Sequence, residues 1–171
     1  MSSNPRPSRR ARISRRRGRD PGLLRLLVTR HDPDITTLDL DEIGPLSGGY
    51  ILSHAGKTIE PGCCGDLGNL EGWERAATES SEGWEMVWIG HPWTFVRPSS
   101  ELLHFVEPSE QATADGLTEI IRLSRAELLD AVERASAERS HFAERLLPVV
   151  QEMVPKVTAD LIVDVLVRGH R

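Results

Sequence analysis

The apolar positions of this chain change their period part-way along. Up to about residue 123 they come in short runs of two to six; from there on they recur every three to four residues. Residues 35–40 and 84–89 alternate apolar with polar, as a half-buried strand does. The runs 93–96, 102–106 and 117–123 are rich in aliphatic and aromatic side chains and also suit strands. Residues 50–53 and 57–59 flank His54-Ala55-Gly56, a hairpin signal with glycine in the turn. The run 23–29 reads as a short strand or a helical turn, broken by Asp32-Pro33-Asp34.

Helical spacing appears in three places. Leu70, Trp73 and Ala77 share one face of a helix over 67–77, capped by Asp66 or Asn69. Ser124 and Glu127 form a capping box: the hydroxyl accepts from the third helical amide and the carboxylate reaches back to the Ser124 amide. The helix that follows extends to about residue 147, with Leu128, Val132, Ala135, Phe142 and Leu146 in one stripe. Pro148 and Pro155 interrupt it, and Thr158 can cap a last helix ending at Arg168 and Gly169. Strands first and helices last, without βαβ alternation, predict an α+β fold with a mainly antiparallel sheet. A short helix follows the glycine-rich loop, and the C-terminal helices pack on the sheet.

Charge divides the chain. Residues 1–20 carry eight arginines against the single acid Asp20, while the other 151 residues have 13 bases and 25 acids, a net −12. So polar and apolar-poor a segment cannot offset its ordering entropy, so 1–20 is expected to be a disordered arginine-rich tail. One reading makes residues 6–19 a nucleic-acid arm. The preferred reading is an upstream start codon or an unselected extension. A single domain is expected over 21–171. The apolar runs 23–28 and 161–167 are short and interrupted by charge, so no membrane span is expected. Ser8-Arg9-Arg10 resembles a twin-arginine signal, but no apolar region follows and export is not expected. Two adjacent cysteines give no disulfide framework and fit a reducing, cytoplasmic compartment.

The densest chemistry lies in 61–73, where Gly62, Gly65, Gly68 and Gly72 surround Cys63, Cys64 and Asp66. So many glycines imply a backbone path that larger residues could not follow. Gly62, Cys63, Cys64, Gly65, Asp66 and Gly68 are therefore assigned to a structural loop. A phosphate cradle is the weaker reading, since no lysine follows and Glu60, Asp66 and Glu71 would repel an anion. The cysteines are expected to be buried or half-buried thiols. Neighbouring side chains in an extended chain diverge, and His54, His91 and His104 do not converge on them by spacing, so no metal or cofactor is expected. An enzyme reading would make Cys63 or Cys64 a nucleophile, His91 its base and Asp66 the orienting carboxylate. Trp73, Trp84 and Trp88 are expected in the core; Trp93 and His91, beside the Gly90-His91-Pro92 turn, form the candidate partner-binding pair.

The order from Gly49 to Pro108 resembles small bacterial proteins found in toxin–immunity neighbourhoods. It runs Gly-Gly-Tyr-Ile-Leu, then Ile-Glu-Pro-Gly-Cys-Cys-Gly-Asp-Leu-Gly, a tryptophan-bearing helix and Trp-Ile-Gly-His-Pro-Trp. The resemblance covers about a third of the chain and carries over no site residues. It implies a cytoplasmic, non-enzymatic α+β protein that binds and occludes a secreted toxin domain. The acidic body suits a basic toxin domain as partner.

Overall fold

The computed structural model describes residues 11–14, 28, 43–79, 81–154 and 156–169. Its elements form an α+β fold with two antiparallel sheets. The first sheet orders β1 (Arg12–Ser14), β2 (Ile51–His54) and β3 (Lys57–Ile59). The second orders β4 (Glu85–Val87), β5 (Thr94–Ser99), β6 (Leu102–Val106) and β7 (Glu119–Ser124). The helices are α1 (Leu70–Thr78), preceded by a 3-10 turn at Leu67–Asn69, then α2 (Arg125–Gln151) and α3 (Lys156–Arg168).

Local chemistry accounts for most of these boundaries. The β2–β3 hairpin turns at Ala55 and Gly56, both at positive φ (51° and 82°), as a two-residue hairpin turn demands. The Asp66 carboxylate caps the 3-10 turn by accepting from the Gly68 and Asn69 amides at 2.7 and 3.1 Å. Ser124 and Glu127 form the full capping box, with Glu127 N–H donating to Ser124 Oγ at 3.2 Å and Ser124 N–H to Glu127 Oε2 at 2.8 Å. Those bonds to Ser124 hold the Glu127 carboxyl below its ordinary range, against the opposing effect of burial.

Pro148 does not end α2, contrary to the expectation from sequence. Proline in a helix removes one amide donor and costs roughly 3 kcal/mol. Here the apolar stripe continues past it, since Leu146, Val149 and Val150 are all buried, and that burial outweighs the loss. The last helix also begins at Lys156, ahead of Thr158. Gly169 closes it with φ 77° and an amide bonded to the Val165 carbonyl at 2.8 Å.

Two main cores share α2. Its first half contributes Leu128, Ala131, Val132 and Ala135 to a cluster with the inward residues of both sheets and with Leu70 and Trp73 of α1. Trp73 is fully buried and tilts against Phe105, with ring centroids 5.9 Å apart. The second half of α2 packs with α3, Ile43, Leu46 and Leu67 around Phe142 and Leu146. A third, smaller cluster sits on the opposite face of the second sheet, where Phe95, Val106 and Ala114 are flanked by Trp84, Trp93 and Leu117.

The N-terminal segment differs from its expectation. Arg12–Ser14 is a strand paired with β2, and Ala11 and Ile13 are buried in the first core. Arg134 of α2 donates to the Ala11 carbonyl at 2.8 Å. Composition averaged over twenty residues hid this, because Ala11 and Ile13 alone carry the period-two signal. The rest of 1–20, the run 35–40 and, except for the buried Val28, the run 23–29 lie outside the described residues.

Candidate functional site

The glycine-rich loop meets the segment 89–91 backbone to backbone. The Gly62 amide donates to the Ile89 carbonyl at 3.1 Å, and the Cys63 amide to the His91 carbonyl at 2.8 Å. A Cβ on Gly62 would stand 2.0 Å from the His91 carbonyl oxygen. One on Gly65 would stand 2.6 Å from the Gly48 carbonyl oxygen. Both positions therefore exclude any larger residue for want of space.

The same bonds dispose of the phosphate-cradle reading. The Gly62, Cys63 and Gly65 amides already donate to carbonyls, and the Gly68 and Asn69 amides donate to Asp66. An anion would find these donors taken and a carboxylate in their midst. Burial raises the Asp66 pKa, while the two amide bonds oppose that rise.

Cys63 and Cys64 are exposed, which corrects the expectation of buried thiols. Nor do they diverge: their sulfurs stand 3.5 Å apart. The cause is the turn. The Gly65 amide bonds to the Gly62 carbonyl at 3.1 Å, so the cysteines occupy the two central positions of a reversal instead of an extended run. The Cys64 thiol is pushed up by its hydrogen bond to Cys63 and by that neighbour's charge. An activated nucleophile needs a shift in the opposite direction.

His91 reaches the loop through its carbonyl. Its ring contacts Glu110, Nε2 to Oε2 at 2.7 Å, and stacks edge-on to Trp93 with centroids 4.5 Å apart. Trp93 itself is half-buried and exchanges backbone bonds with Ser109 at 2.9 and 2.8 Å. The structure thus sets His91 against Trp93 and ties both to the loop 109–110. Among the described residues, no group of three or more His, Cys, Asp or Glu could hold a metal ion.

The tryptophans require a second correction. Trp88 is 53% exposed and Trp84 is half-buried, although both were expected in the core. Alternation over 84–89 is real, but its faces are the reverse of those expected: Val87 and Ile89 point inward, Met86 and Trp88 outward. The interior beneath α1 is filled by Trp73 and Phe105. At Gly72, the α1 backbone comes so close that a Cβ would lie 2.5 Å from the Trp88 carbonyl oxygen. That approach suits the smaller Val87 and Ile89 below the strand and turns Trp88 outward.

Trp88 and Met86 line a shallow groove with Gly72, Arg75, Ala76 and Glu79. The segment 71–85, which supplies part of that lining, holds Glu71, Glu74, Glu79, Glu82 and Glu85 against one base, Arg75, which pairs with Glu79 at 3.1 Å. An exposed aromatic and a methionine thus line a groove whose charged residues are Glu79, Glu85 and Arg75. Sequence reasoning missed this patch because period two says which residues share a face and not which face is covered.

Arg97, His104 and Arg122 stand in register across β5, β6 and β7. Arg97 lies over the Trp84 ring at 4.8 Å. His104 and Arg122 both contact Glu119, each at 2.8 Å. Burial pushes the Glu119 pKa up, but the hydrogen bonds from His104 and Arg122 outweigh it and the net shift is downward. Because the folded value lies below the unfolded one, the ionised carboxylate contributes stability above the ordinary carboxylate range. That contribution is lost as pH falls through the depressed value. Glu119→Gln is therefore expected to lower the denaturation midpoint at neutral pH and to converge with wild type as pH falls below the depressed value. A constant difference across that range would show that the pair contributes nothing through ionisation.

Comparisons with known protein families, characterised proteins and solved structures found no match to this chain. None of the helices is long and apolar enough to cross a membrane, among the described residues.

Proposed function

We propose that this is a non-enzymatic, cytoplasmic binding protein, an immunity-like module that occludes a basic toxin domain. The observation that carries the reading is the exposed Trp88 with Met86, in a groove lined also by Glu79, Glu85 and Arg75. Exposed tryptophan supplies anchoring area at interfaces. Surrounding like charge steers an oppositely charged partner and raises the association rate. The wider body, at −12 over residues 21–171, has the same sign. His91 and Trp93 lie outside the acid-rich segment, and their contacts with Glu110 and each other leave them a supporting role. The enzyme reading gains no support from the thiols, whose one resolved shift is upward.

The test is co-expression with any toxin domain found encoded beside this gene. A stable complex, protection of the host cell and association that slows steeply with added salt are the expected results. Unrelieved toxicity, the lack of such a neighbouring gene, or a complex indifferent to salt would each refute the reading.

A further inference from the structure

We infer that Cys63 and Cys64 form a vicinal-dithiol site that chelates a thiophilic trivalent centre of the arsenic(III) class. Three observations meet here. Both thiols are exposed, so a ligand can reach them. Their sulfurs are 3.5 Å apart at the tip of a turn. And the turn is rigid: Gly62, Cys63 and Gly65 each donate a backbone bond, to Ile89, His91 and Gly62.

The spacing selects the chemistry. Bonds of about 2.3 Å from each sulfur, a common thiolate–metal length, would meet at roughly 100° across that gap. A bent or pyramidal centre accepts such an angle. A linear two-coordinate ion such as copper(I) needs its sulfurs on opposite sides and does not fit. Tetrahedral zinc needs four ligands, and the described residues offer no third His, Cys, Asp or Glu here. A pyramidal trivalent centre can take its third substituent from outside the protein.

The competing fate of two neighbouring thiols is a disulfide. Adjacent residues across a trans peptide have Cα atoms about 3.8 Å apart, inside the usual lower limit of about 4.4 Å for disulfides. Direct closure is therefore disfavoured, whereas a bridge through one large atom leaves the turn as it stands. Soft thiolate sulfur prefers soft acceptors. With an organoarsenic oxide the step is a condensation. Two As–S bonds form, the As=O bond breaks, and its oxygen leaves as water with the two thiol protons. Arsenic stays trivalent and nothing is oxidised or reduced.

The probe is phenylarsine oxide, titrated into the full reduced chain and followed by intact mass and by free-thiol assay. One arsenical per chain should silence both thiols, and a small dithiol should reverse it. Cys63→Ser and Cys64→Ser, both exposed sites, should each retain the fold and lose affinity on the order of 10²–10⁴-fold, the gain of an intramolecular second bond. Circular dichroism checks the fold of each variant. Equal affinity of wild type and single variants, two arsenicals per chain, or mild oxidation to a Cys63–Cys64 disulfide ahead of arsenical capture would overturn the inference.

Discussion

Gly62→Ala is expected to be among the most destabilising single-methyl additions in this protein, costing about 3 kcal/mol or more. The added Cβ would lie 2.0 Å from the His91 carbonyl oxygen, 2.2 Å from its carbon and 2.4 Å from its nitrogen. These are backbone atoms, so no side-chain rotation relieves the clash. Moving the chain apart would break the Gly62–Ile89 and Cys63–His91 bonds. Both amides would then need new partners. Gly83→Ala is the control, because nothing lies within 4 Å of its added Cβ. It should stay within about 0.5 kcal/mol of wild type, as most surface changes do. Denaturant midpoints at unchanged m-value provide the measurement. If the two variants unfold alike, the crossing of the loop with 89–91 is not the close backbone contact described above.

The second large effect separates two tryptophans that composition treats alike. Trp73→Ala should cost about 3–5 kcal/mol of folding free energy, the usual loss for a buried aromatic. Trp73 is wholly inaccessible and its loss would leave Phe105 facing a void. Trp88→Ala should leave the denaturation midpoint almost unchanged, since more than half of that side chain is already in solvent. Its expected effect is on binding, where truncating an interface anchor costs about 2 kcal/mol or more. Calorimetric titration against the co-expressed partner, beside denaturation of the free variants, measures both. A Trp88→Ala protein that binds as wild type does would remove the patch from the interface. One that unfolds would show that Trp88 supports the core.

Much of the architecture was legible because its signals are local. The Ser124–Glu127 box, the Asp66 cap, the Ala55–Gly56 turn and Gly169 each act on backbone groups within a few residues. Such bonds depend on neighbours only a few residues away, so they can be read from the sequence once the element itself is identified. The loop glycines were also legible as a class. The glycine run 62–72 signalled a crowded backbone, and carbonyls of Gly48, Trp88, Ile89 and His91 do crowd it.

The candidate site was less legible, and the misses share one cause. Alternation at 84–89 identified two faces without saying which would be covered, and Trp88 came out on the exposed one. The cysteines were judged by an average burial preference, while the turn closed by Gly65 holds them outward and together. Pro148 was judged by its intrinsic cost, while packing of Val149 and Val150 against the second core carried α2 past it. The tail was judged by composition, while two apolar residues found a strand to pair with.

The amino-acid sequence alone determined the α+β class, the hairpin, the caps and the charge division, because these depend on bonds and periods short along the chain. Tertiary structure alone decided which side of β4 faces solvent and where the two thiols point. Those outcomes depend on what lies across a gap in space. That Gly72 sits against Trp88, and Gly62 against His91, is a matter of volume between segments distant in sequence, and no local pattern encodes it.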